Sequence, residues 1–480
     1  MDWKKLMSST RRKDMGGKRG QPLNAGGDRT EIERDYDRVL FSTPVRRLAD
    51  KTQVFPLEKN DSVRTRLTHS HEVSNIARSI GVALAHRSGS KFNSSDYHRD
   101  LPSILAAVGL AHDIGNPPFG HQGEFAIGDW FKKNEKEVFG FLNEKKSGIE
   151  RKVKKRMRLD FQRFEGNAQA LRVLTKLQIM NDNFGLNLTC GSLAALMKYP
   201  VTSDKQDSSN IATKKFGCFH SEIDVVEDVW QETGLEEGLR HPLTFLMEAS
   251  DDIAYSVLDV EDAVKKGLVS YRDLISYLET GADGERETDA AIVDVCERSD
   301  LQHKMHKDAR LSPNEVNDLS TQMFRVFAIG TMITAVIEAF LAKQSDIESG
   351  TLNDDLLSVS DAALLCKKLK EFAFINAYKH RSILELELVG HKVIHSIMDM
   401  LWPAIVGRGD PQVDVKGHVG TPFEKYAYGR ISENYRRVFE SPNENLPLGY
   451  RRCQLLADMI SGMTDGFAVS FERELRELRC

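Results

Sequence analysis

The stretch Leu101–Glu124, LPSILAAVGLAHDIGNPPFGHQGE, carries a helix that runs straight into a cluster of reactive side chains. Leu101, Ile104, Leu105 and Val108 recur at the spacing of one helix face. His112 falls four residues beyond Val108, on the same inward stripe, and Asp113 follows at once. Pro102 suits a first helical turn, and Gly115 with Pro117 and Pro118 predicts a helix end just past the His-Asp pair.

The pattern repeats on both sides of this stretch. Upstream, a helix predicted to begin near Thr65 has Val73, Ile76, Ala77, Ile80 and Leu84 on one face. His69 lies four residues before Val73, whereas His71 points elsewhere. Downstream, HPLTFLMEASDDIAYSVLD aligns Leu243, Met247, Asp251, Ala254 and Leu258, and Asp252 falls off that stripe. Two histidines and two aspartates thus sit at or beside core-facing positions of three helices. Each alone reads more readily as a satisfied core residue or a helix cap than as a ligand. Together, buried carboxylates beside imidazoles call for pairing or a metal. Two imidazoles with two carboxylates suit a divalent transition ion that keeps positions open for water and phosphate. These ligand types do not separate Mn²⁺, Mg²⁺, Co²⁺ and Fe²⁺.

The rest of the chain sets the frame. It has 480 residues, 40% apolar and 29% charged, with a formal net charge of −5. That balance exerts no global pull on nucleic acid or acidic membranes, so an anion site must be local. Six cysteines without a CxxC pair argue against a zinc ribbon or disulfide framework and suit a reducing cytoplasm. The basic amino terminus lacks the apolar stretch of a signal peptide. The run Phe327–Ala342 carries Glu338 and falls short of the ~20 residues a membrane helix needs. A cytoplasmic protein without a membrane partner is the expectation.

Helical periodicity dominates, and no Gly-rich turn follows a plausible strand, which disfavours a dinucleotide fold. The expected organisation is all-α. Residues 1–30 form a flexible basic arm, 31–275 the core with the His and Asp cluster, 276–318 a polar surface excursion with a short helix, and 319–480 a C-terminal helical region. Long helices are expected over 320–345, 360–403 and 450–478, and a small β-hairpin is allowed near 200–220. Lys145, Lys146, Arg151, Lys152, Lys154, Lys155, Arg156 and Arg158 form a basic block that reads as a solvated face or as a patch for polyphosphate or single strands.

The pattern His69, His112-Asp113, Asp251 resembles the HD superfamily of phosphohydrolases. More narrowly, the chain resembles the bacterial dGTP triphosphohydrolases. The resemblance rests on ERDYDRVLFSTPVRRLADKTQVFP, TRLTHSHEVSNIARSI, GLAHDIGNPPFGHQGE, RFEGNAQALRVL, LMKYP, LMEASDDIAYSVLDVEDA and ISGMTDGFA, in order from about residue 33 to 467. It implies hydrolysis of a deoxynucleoside triphosphate, dGTP first, to deoxynucleoside and tripolyphosphate, by attack at the α-phosphorus. His69, His112, Asp113 and Asp251 would hold the metal, Mn²⁺ or Mg²⁺ foremost, to polarise a phosphoryl oxygen and activate water.

His121 and Glu124, at i and i+3, can meet if a helix begins at the Gly-Pro break. A carboxylate orienting an imidazole is a general acid/base arrangement, so His121 would protonate the 5′-oxygen or relay a proton. Lys198, Tyr199 and Lys215 match positions that the family uses near the phosphates. Tyr255 would pack on the sugar, with no room left at the 2′ position, and Asp259 would bind the 3′-hydroxyl. Gln53, Val54 and Asn167 are candidates for nucleoside or phosphate contacts, and Arg451 for a phosphate, across a subunit boundary.

The resemblance further implies a homo-oligomer, a hexamer, with single-stranded DNA or a second nucleotide as effector. Other readings are an HD hydrolase of broader dNTP or other nucleotide specificity, and a nucleotide- or DNA-responsive binding protein with weak hydrolysis. A two-metal phosphodiesterase would need further histidines between the His-Asp pair and Asp251, where besides His121 only His220 and His241 lie.

Overall fold

The computed structural model describes residues 1–15, 28–55, 57, 62–87, 91–93, 95–143, 149–178, 182–281, 284–379, 381–411, 413, 417–441 and 446–479. The fold is all-α. Its main helices are α1 (Glu31–Leu40), α2 (Arg66–His86), α3 (Ser95–Ala111), α4 (Gly120–Lys133), α5 (Arg151–Gln162), α6 (Pro242–Lys265), α7 (Ala290–Asp308), α8 (Pro313–Ala342), α9 (Ala363–Ala373), α10 (Arg381–Gly407), α11 (Leu448–Ser461) and α12 (Asp465–Leu478). Thr65 starts α2 where expected, as a capping box with Thr68.

Helices α2 and α3 make the most extensive helix pairing among the described residues. Gly81 abuts Pro102, Gly109 abuts Ser74, and the Ser74 hydroxyl donates to the Ala106 carbonyl at 2.7 Å. These pairs run in opposite directions along the two helices, so the next step of the register sets His69 opposite His112. Val73, Ile76, Ala77, Ile80 and Leu84 are buried, as are Leu101, Ile104, Leu105 and Val108, while His71 is exposed. Each fully buried Leu or Ile is worth about 1.5–3 kcal/mol. Helix α6 is buried on nearly every side, packed among α2, α3, α8 and α9, and brings Asp251 to the same end.

Several expectations change. Pro102 stands inside α3, because the helix begins at Ser95, and it is the flat face against which Gly81 packs. Residues 1–15 of the expected arm are docked: Trp3 and Leu6 are buried, Arg11 pairs with Asp35 at 2.8 Å, and the Ser8 and Thr10 carbonyls accept from the Gly191 and Cys190 amides. An aromatic and a buried salt bridge outweigh the polar composition there. Residues 16–27 of the arm, and Lys145 and Lys146 of the basic block, lie outside the described residues.

No hairpin forms near 200–220 among the described residues. That region holds only an isolated parallel bridge, Thr202 to Cys218. The short helix expected in the 276–318 excursion is the 19-residue α7, packed along α8. The expected helix over 360–403 divides into α9, a π-helical turn Phe374–Tyr378 and α10; that over 450–478 divides at Thr464, which caps α12. Helix α8 extends to 30 residues, long and apolar enough by length and composition to cross a membrane. Its Phe324, Ala328, Met332, Val336 and Phe340 are buried as in a core helix.

Candidate metal and nucleotide site

His69 Nε2 lies 3.1 Å from Asp251 Oδ1, and His112 Nε2 lies 3.5 Å from the same oxygen. The three form a group able to hold an ion. His112 Nδ1 sits 2.7 Å from the Gly109 carbonyl, to which it donates, so Nε2 is the ring nitrogen left for a metal. That Nε2 and His69 Nδ1 are buried without a hydrogen-bond partner. Burial pulls the His112 pKa down, but Asp113 and then Asp251 outweigh it and push it up to about 9. An oriented, orphaned imidazole in a field that favours positive charge fits a divalent cation.

Asp113 borders the group, with Oδ2 3.5 Å from His112 Nε2. That oxygen also accepts from Arg66, and Oδ1 accepts from the Asn116 amide at 2.6 Å. Burial opposes its ionisation, yet Arg66 and His112 hold the carboxyl well below its ordinary range. Arg66 is three residues before His69 and so shares its face.

A cavity of about 470 Å³ opens over these groups, a volume in the usual range for a small-molecule site. His121 stands on its wall with its side chain 81% exposed. The buried Glu124 reaches His121 Nδ1 at 2.8 Å through one oxygen and accepts from the Gly166 amide at 2.8 Å through the other. Burial raises the Glu124 pKa, but His121 and Lys215 outweigh that and lower it, so it is a carboxylate. The hydrogen bond to Glu124 in turn raises the His121 pKa. The proton on Nδ1 is therefore tied to Glu124, on a residue that lines the cavity.

The turn between His112 and His121 is held by close approaches. A side chain at Gly115 would strike the backbone of Gly166 and Ala170, and one at Gly166 would strike Asn116 and Glu124. Phe119 adopts φ 63°, the left-handed region, fixed where its amide donates to Asp465 at 2.9 Å. Asp465 also accepts from the Thr52 amide and hydroxyl, which joins DKTQVFP to this turn. Buried Lys51 donates to the Asn116 carbonyl at 2.5 Å and the Ser461 carbonyl at 2.7 Å; burial pulls its pKa down to about 7.

The remaining expected residues divide. Gln53, Val54, Asn167, Lys198, Tyr199, Lys215 and Tyr255 all line the cavity. Gln53 Oε1 is buried without a hydrogen-bond partner. Lys198 Nζ is 3.4 Å from Glu248 and 3.8 Å from Asp251; burial opposes its charge, but Glu248 outweighs it and raises the pKa. Lys215 Nζ lies 3.0 Å from Glu165, which also accepts from Asn167 at 2.6 Å. Tyr255 stacks on Tyr378, centroids 5.8 Å apart and planes at 9°.

Two of the expected residues do not line the cavity in this chain. Asp259 is 1% exposed and accepts from the Tyr378 hydroxyl, so Tyr378, not Asp259, lines the cavity. Arg451 is buried elsewhere, donating to the Phe439 carbonyl at 2.9 Å and to Asp410 at 3.0 Å. Both were placed by sequence position alone, and neither position foretold the partner that occupies them. His220 lines a different cavity, and His241 accepts from the Leu243 amide to cap α6 while its Nε2 meets the Leu6 carbonyl at 3.1 Å. Neither reaches Asp251. Sequence reasoning missed Lys51, Arg66, Asn116, Tyr378 and Asp465. Lys51 and Asp465 lie inside quoted motifs and Asn116 inside the opening stretch; nothing in the sequence signalled Tyr378.

Residues 66–174 match the HD domain family, a span with His69, His112, Asp113, His121 and Glu124 but not Asp251. The chain is 36% identical over 486 residues to a deoxyguanosinetriphosphate triphosphohydrolase-like protein of Listeria monocytogenes, covering 100% of both chains. It is 32% identical over 489 residues to one of Pseudomonas aeruginosa, covering 99% of this chain and 98% of that one. It is 33% identical over 483 residues to the deoxyguanosinetriphosphate triphosphohydrolase of Serratia proteamaculans, covering 93% of each. The chain belongs to the deoxyguanosinetriphosphate triphosphohydrolase family of HD-domain hydrolases.

Proposed function

We propose that the protein hydrolyses a deoxynucleoside triphosphate, dGTP foremost, to the deoxynucleoside and tripolyphosphate. The observation that carries this reading is one cavity lined by an imidazole-carboxylate group, the His121–Glu124 pair and several cations. A divalent ion held by His69, His112 and Asp251, with Asp113 beside them, would polarise a phosphoryl oxygen and activate water; Mn²⁺ or Mg²⁺ is the first choice, Co²⁺ or Fe²⁺ the second. Attack at the α-phosphorus breaks its bond to the 5′-oxygen. His121, kept protonated by Glu124, gives its Nε2 proton to that oxygen. Lys198 and Lys215 hold the phosphate charge, and Arg66 adds to it. Tyr255, backed by Tyr378, packs on the sugar, while Gln53 and Asn167 offer polar contacts. The whole-length relatives named for dGTP favour that base.

The test is incubation with each of the four dNTPs and Mn²⁺ or Mg²⁺, with products resolved by chromatography. Deoxyguanosine with tripolyphosphate is expected. A monophosphate with pyrophosphate, or no turnover, overturns the reading. The resemblance also supports a hexamer and an effector role for single-stranded DNA or a second nucleotide, and the cysteine usage a cytoplasmic location; adding each effector to the same assay tests that role.

A further inference from the structure

A second imidazole-carboxylate group lies outside the cavity just described. His391 and His395 stand one turn apart on α10, and Asp129 faces them from α4. Both Nε2 atoms are 3.4 Å from the same oxygen, Asp129 Oδ2. That is too long for a good hydrogen bond. It is the edge expected of a tetrahedron whose metal bonds measure about 2.0–2.1 Å, since such an edge is about 3.3–3.4 Å. His395 Nε2 is buried and has no hydrogen-bond partner. The rings stack with centroids 4.3 Å apart and planes at 25°, presenting the same nitrogen to the same oxygen. This is the signature of the first site, where His112 Nε2 is likewise orphaned 3.5 Å from an aspartate oxygen.

We infer that Asp129, His391 and His395 form a second metal site, suited to a divalent ion such as Zn²⁺, that pins α10 to α4. Two imidazoles and one carboxylate leave a fourth tetrahedral position for water. Lys133 holds the place of the cation now, with Nζ 2.7 Å from Asp129 Oδ2; its side chain is 60% exposed and free to swing into solvent. The two helices are already in register, because Trp130 Nε1 donates to Asp399 at 2.7 Å. Asp129 lies eight residues beyond His121 on α4, about 12 Å along the axis. An ion there would brace the helix that carries His121 and Glu124.

The test uses the full-length Asp251→Asn chain, whose first site is disabled, so turnover plays no part and the nucleotide reading stands or falls separately. After equilibrium dialysis against Zn²⁺, elemental analysis is expected to find one bound ion per chain, and His391→Gln with His395→Gln is expected to abolish it. Co²⁺ in place of Zn²⁺ should give the intense visible bands of a tetrahedral site in the first chain only. Zn²⁺ should also raise the Tm of the first chain and not of the second, a comparison that uses only folded protein. Zn²⁺ content unchanged by the double substitution, or no ion in the Asp251→Asn chain, overturns the inference.

Discussion

The group at the junction of α2, α3 and α6 and the group between α4 and α10 use the same side chains at nearly the same distances, yet their surroundings differ. The first is sunk at the base of a cavity with Arg66, Lys198 and Lys215 on its walls and His121 across from it. The second is half-buried, and its nearest cation is one exposed lysine. Ligand geometry alone therefore suits a metal, whereas room for a polyphosphate and an oriented acid make a reaction centre.

The comparison breaks most readily at Asp251. Asp251→Asn is expected to lose the first ion and cut turnover by about a thousandfold or more, the several kcal/mol of a metal's charge stabilisation. A His395→Gln chain that lost as much turnover would erase the distinction between the sites. His121→Ala comes next, with turnover down about 10²–10⁴-fold and nucleotide binding retained in calorimetry. Loss of binding as well would assign His121 to the phosphates.

Glu124→Gln sharpens the same point through pH. The hydrogen bond to Glu124 raises the His121 pKa, and the acid form is the active one, so the rate falls as pH rises through that pKa. Removing the carboxylate lowers the pKa, and the alkaline limb of the kcat profile should move to lower pH; an unmoved limb would remove His121 as the acid. Lys198→Met should raise KM about tenfold with a smaller change in kcat, as expected of a contact made equally in ground and transition states. The smallest effect is Lys133→Met, which frees Asp129 of its competitor and should tighten Zn²⁺ binding at α4 and α10 about twofold, in line with an exposed i,i+4 pair of about 0.3–0.5 kcal/mol. Weaker Zn²⁺ binding would mean that Lys133 supports the site.

Periodic positions were legible because a helix face repeats every three to four residues. His69, His112 and Asp251 could be placed from Val73, Val108 and Met247 without any knowledge of how the helices meet. His121 and Glu124 were legible for the same reason. The pair His391 and His395 carries an equally plain i,i+4 spacing and went unread, because its third ligand is 262 residues away on α4 (391 − 129). That Arg451 and Asp259 lie off the cavity wall was not legible, because a charged residue near a motif says nothing of which carbonyl or hydroxyl has already claimed it. The docked terminus was missed because composition averages away one tryptophan and one arginine.

What the chain determined by itself was the all-α class and, for α2, α3 and α6, the buried faces and the residue types on each, since these follow from local periodicity and capping. Which faces meet was decided only by packing. The Gly81–Pro102 and Ser74–Gly109 approaches set the register that brings two imidazoles together, and Asp465 folds back over more than four hundred residues to hold Thr52 beside Phe119. Such contacts join segments far apart in the chain, and shape complementarity between them has no local signature.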